Sequence, residues 1–226
     1  MMLFEILFII ASYLLGSLPH LALLARMSGL GTDGDLHLKL WQQGGRFLGL
    51  IGVLGDIAKG AIVILAGKLL EMELVILAFG GLAVIIGQMW PIFSPLNGEK
   101  GNSTGIGVIA TLTPRSFLFC IIPMVMGLLI KVFSYLAKSR QPLNEKLKFR
   151  SPPSLSLPVG MLTGFMVLPI ISYLLGNPDI ISWIYLAFFI LIAIRRATSN
   201  DYYDSKENTL SVKIIINRIL FDRSKI

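Results

Sequence analysis

The apolar residues of this 226-residue chain come in runs too long for a water-soluble fold. Runs cover 3–25, 47–67, 74–93, 116–133, 156–175 and 179–194. Each is close to the roughly 20 residues that a helix needs to cross the hydrocarbon of a bilayer. In lipid, backbone groups must be satisfied inside the segment, so runs of this length imply helices. The wider composition agrees: 54% hydrophobic, 15% charged, mean hydropathy +0.76. The expected fold is all-α, a polytopic integral membrane helical bundle. The polar stretches 134–155 and 195–226 are too polar to bury a core of their own. The organisation expected is a transmembrane domain over 1–194 and a basic cytoplasmic tail over 195–226. The chain turns apolar almost at once, broken only by Glu5, with no basic leader and no small-residue cleavage site. This predicts a first span rather than a cleaved signal. The single cysteine, Cys120, allows no internal disulfide and falls in an apolar run.

Charge sets the topology. Segment 134–155 carries five basic residues against Glu145, and 195–226 carries seven against four acidic ones. Segment 26–46 holds Arg26, Lys39 and Arg46 against Asp33 and Asp35, whereas 68–73 has Lys68 against Glu71 and Glu73. Lys and Arg collect on the cytoplasmic side of membrane proteins. Six spans would place the two most basic segments on opposite sides. A short seventh span over 99–113, ending at Thr113-Pro114, puts all three positive segments inside and the N-terminus outside. About seven spans are therefore expected. The net charge of +7 is explained by these loops and needs no nucleic-acid partner.

The segment 87–104 interrupts this pattern. Its glycine-rich part, 98–104, is a turn with one lysine, Lys100, and two hydroxyls, Ser103 and Thr104. Glycines let backbone N–H groups crowd round an anion, and lysine adds a point charge. A polar break between spans lines a cavity rather than facing lipid. The reading is a phosphate-binding loop at a membrane face. Asp56 and Lys59 fall in the middle of the run 47–67, three residues apart and so on one helix face. Charges there are costly. They read equally well as a polar cavity wall or as a structural ion pair. Arg26 ends the first run as an anchor.

Together these residues resemble the bacterial acyl-phosphate glycerol-3-phosphate acyltransferase family, the PlsY type. Gly16-Ser17-Leu18-Pro19 followed by Arg26 is similar to its N-terminal Gly-Ser-Ile-Pro segment. Gly44-Gly45-Arg46 and Asp56-Ile57-Ala58-Lys59-Gly60 are similar to its Gly-Gly-Lys and Asp-x-x-Lys-Gly elements. The segment 87–104 is similar to its Gly-His-x-x-Pro…Lys-Gly-Gly-Lys-Gly box. Gln88 stands at the family's histidine, Asn97 at a lysine and Glu99 at a glycine. The cytoplasmic box between Arg26 and Gly44 is shortened, and the C-terminal one survives only as 195–200.

The resemblance implies transfer of a fatty acyl group from acyl phosphate to the 1-hydroxyl of glycerol 3-phosphate. The product is lysophosphatidate, and the site faces the cytoplasm of a bacterial inner membrane. The partners expected are acyl phosphate, glycerol 3-phosphate and membrane lipid. Neither cofactor nor metal is expected, and the oligomeric state is not fixed. The expected catalytic groups are Lys100 and His37, the latter as a base. The phosphate would meet Gly98, Gly101, Ser103, Thr104, Arg46, Lys59 and Arg195, while Ser17, Arg26, Asp56 and Asn97 line the polar cavity. His20 is assigned no role. The shortened boxes leave open an alternative, a degenerate homologue that binds lipid or a partner protein without turnover.

Overall fold

The computed structural model describes residues 2–93, 98–138, 155–198 and 212–222, and every regular element among them is helical. In chain order these are α1 (Met2–Ser17), α2 (His20–Met27) and α3 (Leu36–Lys39), which runs into a π turn over Leu40–Gly44. Then come α4 (Arg46–Leu69), α5 (Leu74–Met89), α6 (Asn102–Leu112) and α7 (Pro114–Lys138). The last three are α8 (Ser156–Leu174), α9 (Asp179–Thr198) and α10 (Val212–Phe221).

Helix α1 packs along α5, α4 along α6 and α7 along α8, while α9 joins α8 to α5. Ile64, Ile85, Ile109, Phe165, Leu168 and Phe188 meet at the centre, each almost fully buried. Large apolar side chains such as Phe4, Phe47, Phe133 and Leu174 face outward instead. That surface suits lipid, and the chain is a multi-pass membrane protein. Small residues allow the closest approach. A Cβ on Gly107 would run into the Ile57 carbonyl of α4, and one on Gly60 into the Thr104 carbonyl of α6.

Among the described residues, five helical stretches are long and apolar enough to cross a membrane, with α1 and α2 taken together, and α5 is a shorter apolar helix. The short element expected over 99–113 is α6. It ends at Leu112 and hands over at Thr113 to α7, whose first residue is Pro114. Proline suits a first helical position because its missing N–H would be unsatisfied there anyway.

Two expectations change. The first run, 3–25, is not one continuous helix. It breaks between Ser17 and His20, because Pro19 cannot donate to the carbonyl one turn back and its ring clashes with that turn. The boundary expected at 194 falls inside α9, which continues to Thr198, so Arg195 and Arg196 belong to the bundle. Buried Arg196 donates to Pro158 O at 3.0 Å and to Ile219 O at 3.1 Å, tying α10 to α8 and α9. Most of the basic segment 134–155, from 139 to 154, lies outside the described residues, as does 199–211.

Candidate active site

The break at Pro19 leaves backbone carbonyls without helical partners. Lys59, buried on α4, answers them. Its ammonium donates to Leu18 O at 2.7 Å, to Gly16 O at 3.3 Å and to Gln88 Oε1 at 3.1 Å. A broken helix is tolerated inside a membrane when neighbours satisfy the freed groups in this way. All three ammonium protons are thus used within the protein. Lys59, expected among the phosphate ligands, has none left for a phosphate. Ser17 is also buried and turns back, donating to Tyr13 O at 3.0 Å.

Asp56, one turn before Lys59, is the centre of the network and is 1% exposed. His37 Nε2 of α3 lies 2.8 Å from Oδ2, and Gln88 Nε2 of α5 donates to Oδ1 at 2.8 Å. His20 Nε2 of α2 lies 3.3 Å from Oδ1, and Lys59 Nζ lies 4.0 Å away. One carboxylate therefore ties four helices together. The sequence reading left Asp56–Lys59 as cavity wall or ion pair. The geometry makes it a looser contact than those with the histidines and Gln88.

Burial opposes a charge on His37. Its hydrogen bond to Asp56 and the carboxylates of Glu99, Asp56 and Asp35 outweigh that and lift it to about 9. The proton on Nε2 faces Asp56, and Nδ1 is buried with no hydrogen-bond partner. His37, expected as a base, is thus biased toward its protonated form by Asp56.

The glycine loop closes the same end of the bundle. Gly101 adopts φ +72°, a left-handed conformation that glycine takes without strain, and caps α6. Lys100 Nζ lies 2.8 Å from Asp222 Oδ2 and 3.5 Å from Asp35 Oδ2. Arg195 braces the loop by donating to the Gly98 carbonyl, and to Glu99 O at 3.3 Å. Burial raises the Glu99 carboxyl, as do Asp35 and Asp56, and it settles at about 7 despite His37 and Lys100. Burial likewise opposes the charge of Asp35, but Lys100, the Leu38 N–H and His37 hold that carboxyl low.

A small cleft of about 30 Å³ opens beside the network, lined by Ser17, Leu18, Pro19, His20, Gln88 and Glu99 among others. The structure thus brings Ser17, His37, Asp56, Lys59, Gly98, Lys100, Gly101 and Arg195 to one end. Ser103 is half-buried in the first turn of α6, and Arg26 and Arg46 are exposed. Thr104 is fully buried, with its backbone carbonyl close to Gly60 of α4, and its hydroxyl has no hydrogen-bond partner among the described residues. Asn97 lies outside the described residues. Among the described residues, no group of three or more His, Cys, Asp or Glu side chains is placed to hold a metal.

Sequence reasoning missed His20, Gln88, Asp35 and Asp222 as members of this cluster. One signal was present. A lone aspartate in mid-span needs donors, and His20 and Gln88 are polar side chains inside other apolar runs.

Comparison with known proteins agrees with this architecture. A model of the glycerol-3-phosphate acyltransferase family matches residues 6–201. The chain is 37% identical to the glycerol-3-phosphate acyltransferase of Geobacter metallireducens over 52% of its own length and 63% of that protein. It is 30% identical to that of Pseudomonas aeruginosa over 70% of its length and 87% of that protein. Its fold is that of two crystal structures of PlsY (YgiH), described as an integral membrane glycerol 3-phosphate acyltransferase. The glycerol 3-phosphate form gives a TM-score of 0.67 at 22% identity, covering 85% of this chain and 88% of that one. The lysphosphatidic acid form gives 0.64 at 23% identity, covering 85% and 87%. The chain belongs to the glycerol-3-phosphate acyltransferase family.

Proposed function

We propose that this protein is a membrane acyltransferase. It moves a fatty acyl group from acyl phosphate to the 1-hydroxyl of glycerol 3-phosphate and releases lysophosphatidate. The reading places seven crossings in a bacterial plasma membrane, with the N-terminus outside and the site on the cytoplasmic face. The observation that carries it is the contact between Lys100 and Asp222. It sets the glycine loop, the cleft and the C-terminal helix at one end of the bundle. The curated relatives are named for glycerol 3-phosphate, and the fold neighbours carry it or the lysolipid.

Acyl phosphate is already an activated donor. The protein must hold two phosphorylated molecules close together and aim one hydroxyl at the acyl carbon. Lys100 and the amides of the first turn of α6 supply positive potential at one point. A substrate phosphate displaces Asp222 and Asp35 from Lys100. Gly98 and Gly101 shape the loop, with Ser103 beside them and Arg195 bracing it. Arg26 and Arg46, at the exposed rim, attract anions. Cations fixed in place stabilise the charge on the carbonyl oxygen and on the leaving phosphate. Neither a covalent intermediate nor a metal is required.

The test is purified protein in detergent with palmitoyl phosphate and labelled glycerol 3-phosphate. Lysophosphatidate that forms with wild type and disappears with Lys100→Ala supports this reading. Absence of product from a folded protein that inorganic phosphate still stabilises against heat would favour binding without turnover.

A further inference from the structure

We infer that α10 is an autoinhibitory strap, with Asp222 at its end holding Lys100 until a phosphate takes its place; the inference rests on the reading of Lys100 as a phosphate-binding cation. Helix α10 lies beyond residues 6–201, which the family model matches, so its role has to be read from this chain.

The helix is fastened firmly along its length and loosely at its end. Arg196 of α9 donates to Ile219 O at 3.1 Å, and Arg218 of α10 donates back to Ala197 O at 3.3 Å. Arg218 is buried, and Ile219 packs against the central core. Asp222 is held otherwise. Its amide donates to Arg218 O at 2.9 Å and closes the last turn, but its backbone has turned to φ +61°. A residue with a side chain adopts that left-handed conformation at a cost, which a contact at the end of the helix must offset. The 2.8 Å ion pair between Oδ2 and Lys100 Nζ is such a contact. Oδ1 is buried with no hydrogen-bond partner among the described residues. Half of the carboxylate has therefore given up water without a replacement.

Lys100 has a second carboxylate, and the comparison shows which one yields. Asp35 Oδ2 lies 3.5 Å from Nζ, while its Oδ1 accepts from the Leu38 N–H at 2.9 Å and caps α3. Asp35 thus keeps a place in the fold without Lys100. Asp222 has a strained backbone and one unmatched oxygen, and it gains both relaxation and water by leaving. A phosphate monoester offers the ammonium more charge and more acceptor oxygens than one carboxylate does, so it displaces Asp222. The strap then opens at residue 222, while the ties from Arg196 and Arg218 hold the rest of α10 in place. With the strap closed the cation is occupied, so the apparent affinity for phosphate falls by the fraction of molecules that are closed. Turnover of a loaded site is unaffected, because Asp222 has already left it.

Asp222→Asn removes the charge, and Asp222→Gly also removes the strain, since glycine takes φ +61° freely. In both variants KM for glycerol 3-phosphate is expected to fall about 2- to 5-fold while kcat stays within about 2-fold. Inorganic phosphate should protect both from heat at lower concentrations than it does wild type. In wild type, saturating inorganic phosphate should shift the amide of Asp222 to faster hydrogen exchange and leave the amides of α4 unchanged. A KM that is unchanged or raised in both variants of an active enzyme overturns the strap, as does an Asp222 amide that phosphate leaves alone or protects. Two variants that both fail to fold overturn it as well, because the contact is then a structural support. A wild type that binds phosphate but makes no lysophosphatidate sinks the acyltransferase reading alone, and the phosphate titration and the exchange experiment still decide the strap. A wild type that inorganic phosphate neither stabilises nor alters in exchange removes the strap together with the phosphate-binding role of Lys100.

Discussion

The charges around Asp56 and those around Lys100 sit at the same end of the bundle but are held differently. Asp56 is 1% exposed and meets donors from three other helices within 3.3 Å. Lys100 is 17% exposed, and its partners Asp35 and Asp222 are 36% and 18% exposed. A charge taken out of water must be matched by fixed neighbours, so the first cluster is built into the fold. A charge at the rim can exchange one anion for another at little cost. The sequence placed the ligand-binding cations in both clusters. The structure reserves Lys59 for the backbone and holds Lys100 between two partly exposed carboxylates, which in the proposed reading a phosphate displaces.

The sharpest way to break this contrast is Asp56→Ala. It leaves the partly buried His37 and the buried Lys59 without their carboxylate. A loss of about 3–5 kcal/mol in thermal unfolding in detergent is expected. A shift no larger than that of a surface substitution would show that the network is not structural. Lys100→Ala should do the reverse. It should change stability by less than about 1 kcal/mol and lower kcat on the order of 10²–10³-fold. Lys59→Met removes the donor for Gly16 O and Leu18 O, and should cost about 1–3 kcal/mol, read as a lower melting temperature.

The pH response sharpens the comparison further. His37 is raised from 6.5 to about 9, so its charged form contributes stability fully below the usual histidine range. That contribution fades as pH rises through about 9. Glu99 is raised from 4.5 to about 7, so ionising it costs the fold, a penalty absent below 4.5 and complete above about 7. Both effects lower stability as the solution becomes alkaline. Melting temperature should fall across this window, and Glu99→Gln should flatten the lower part while His37→Gln flattens the upper. The smallest effect is expected from Asp222→Asn. Freeing Lys100 of one rim anion is worth about 0.2–1 kcal/mol, and KM for glycerol 3-phosphate should fall by at most about 5-fold.

The spans were legible because a bilayer needs long apolar runs whatever packs beside them. The short α6 was expected within 99–113 from its apolar stretch between the glycine loop and Pro114, and it forms over Asn102–Leu112. The exchange at Thr113-Pro114 was legible because proline begins a helix well and continues one badly. Pro19 is the counterexample. The same residue chemistry was visible, yet the helix break inside 3–25 went unread, because the stretch as a whole is apolar enough to cross as one. Lys59 read as a ligand because its spacing from Asp56 was visible and the carbonyls it caps were not.

The sequence by itself determined that this chain is a helical membrane protein, where its long apolar runs fall, and that a glycine loop with one lysine interrupts them. Those features follow from local hydrophobicity and backbone freedom, which neighbours do not alter. Only the tertiary structure decided what each buried charge is for. Asp56 takes donors from residues up to 36 positions away, among them His20, and Lys100 meets a carboxylate 122 positions further on. Such pairings arise from helix packing, because a buried charge takes whichever partner the fold brings within reach.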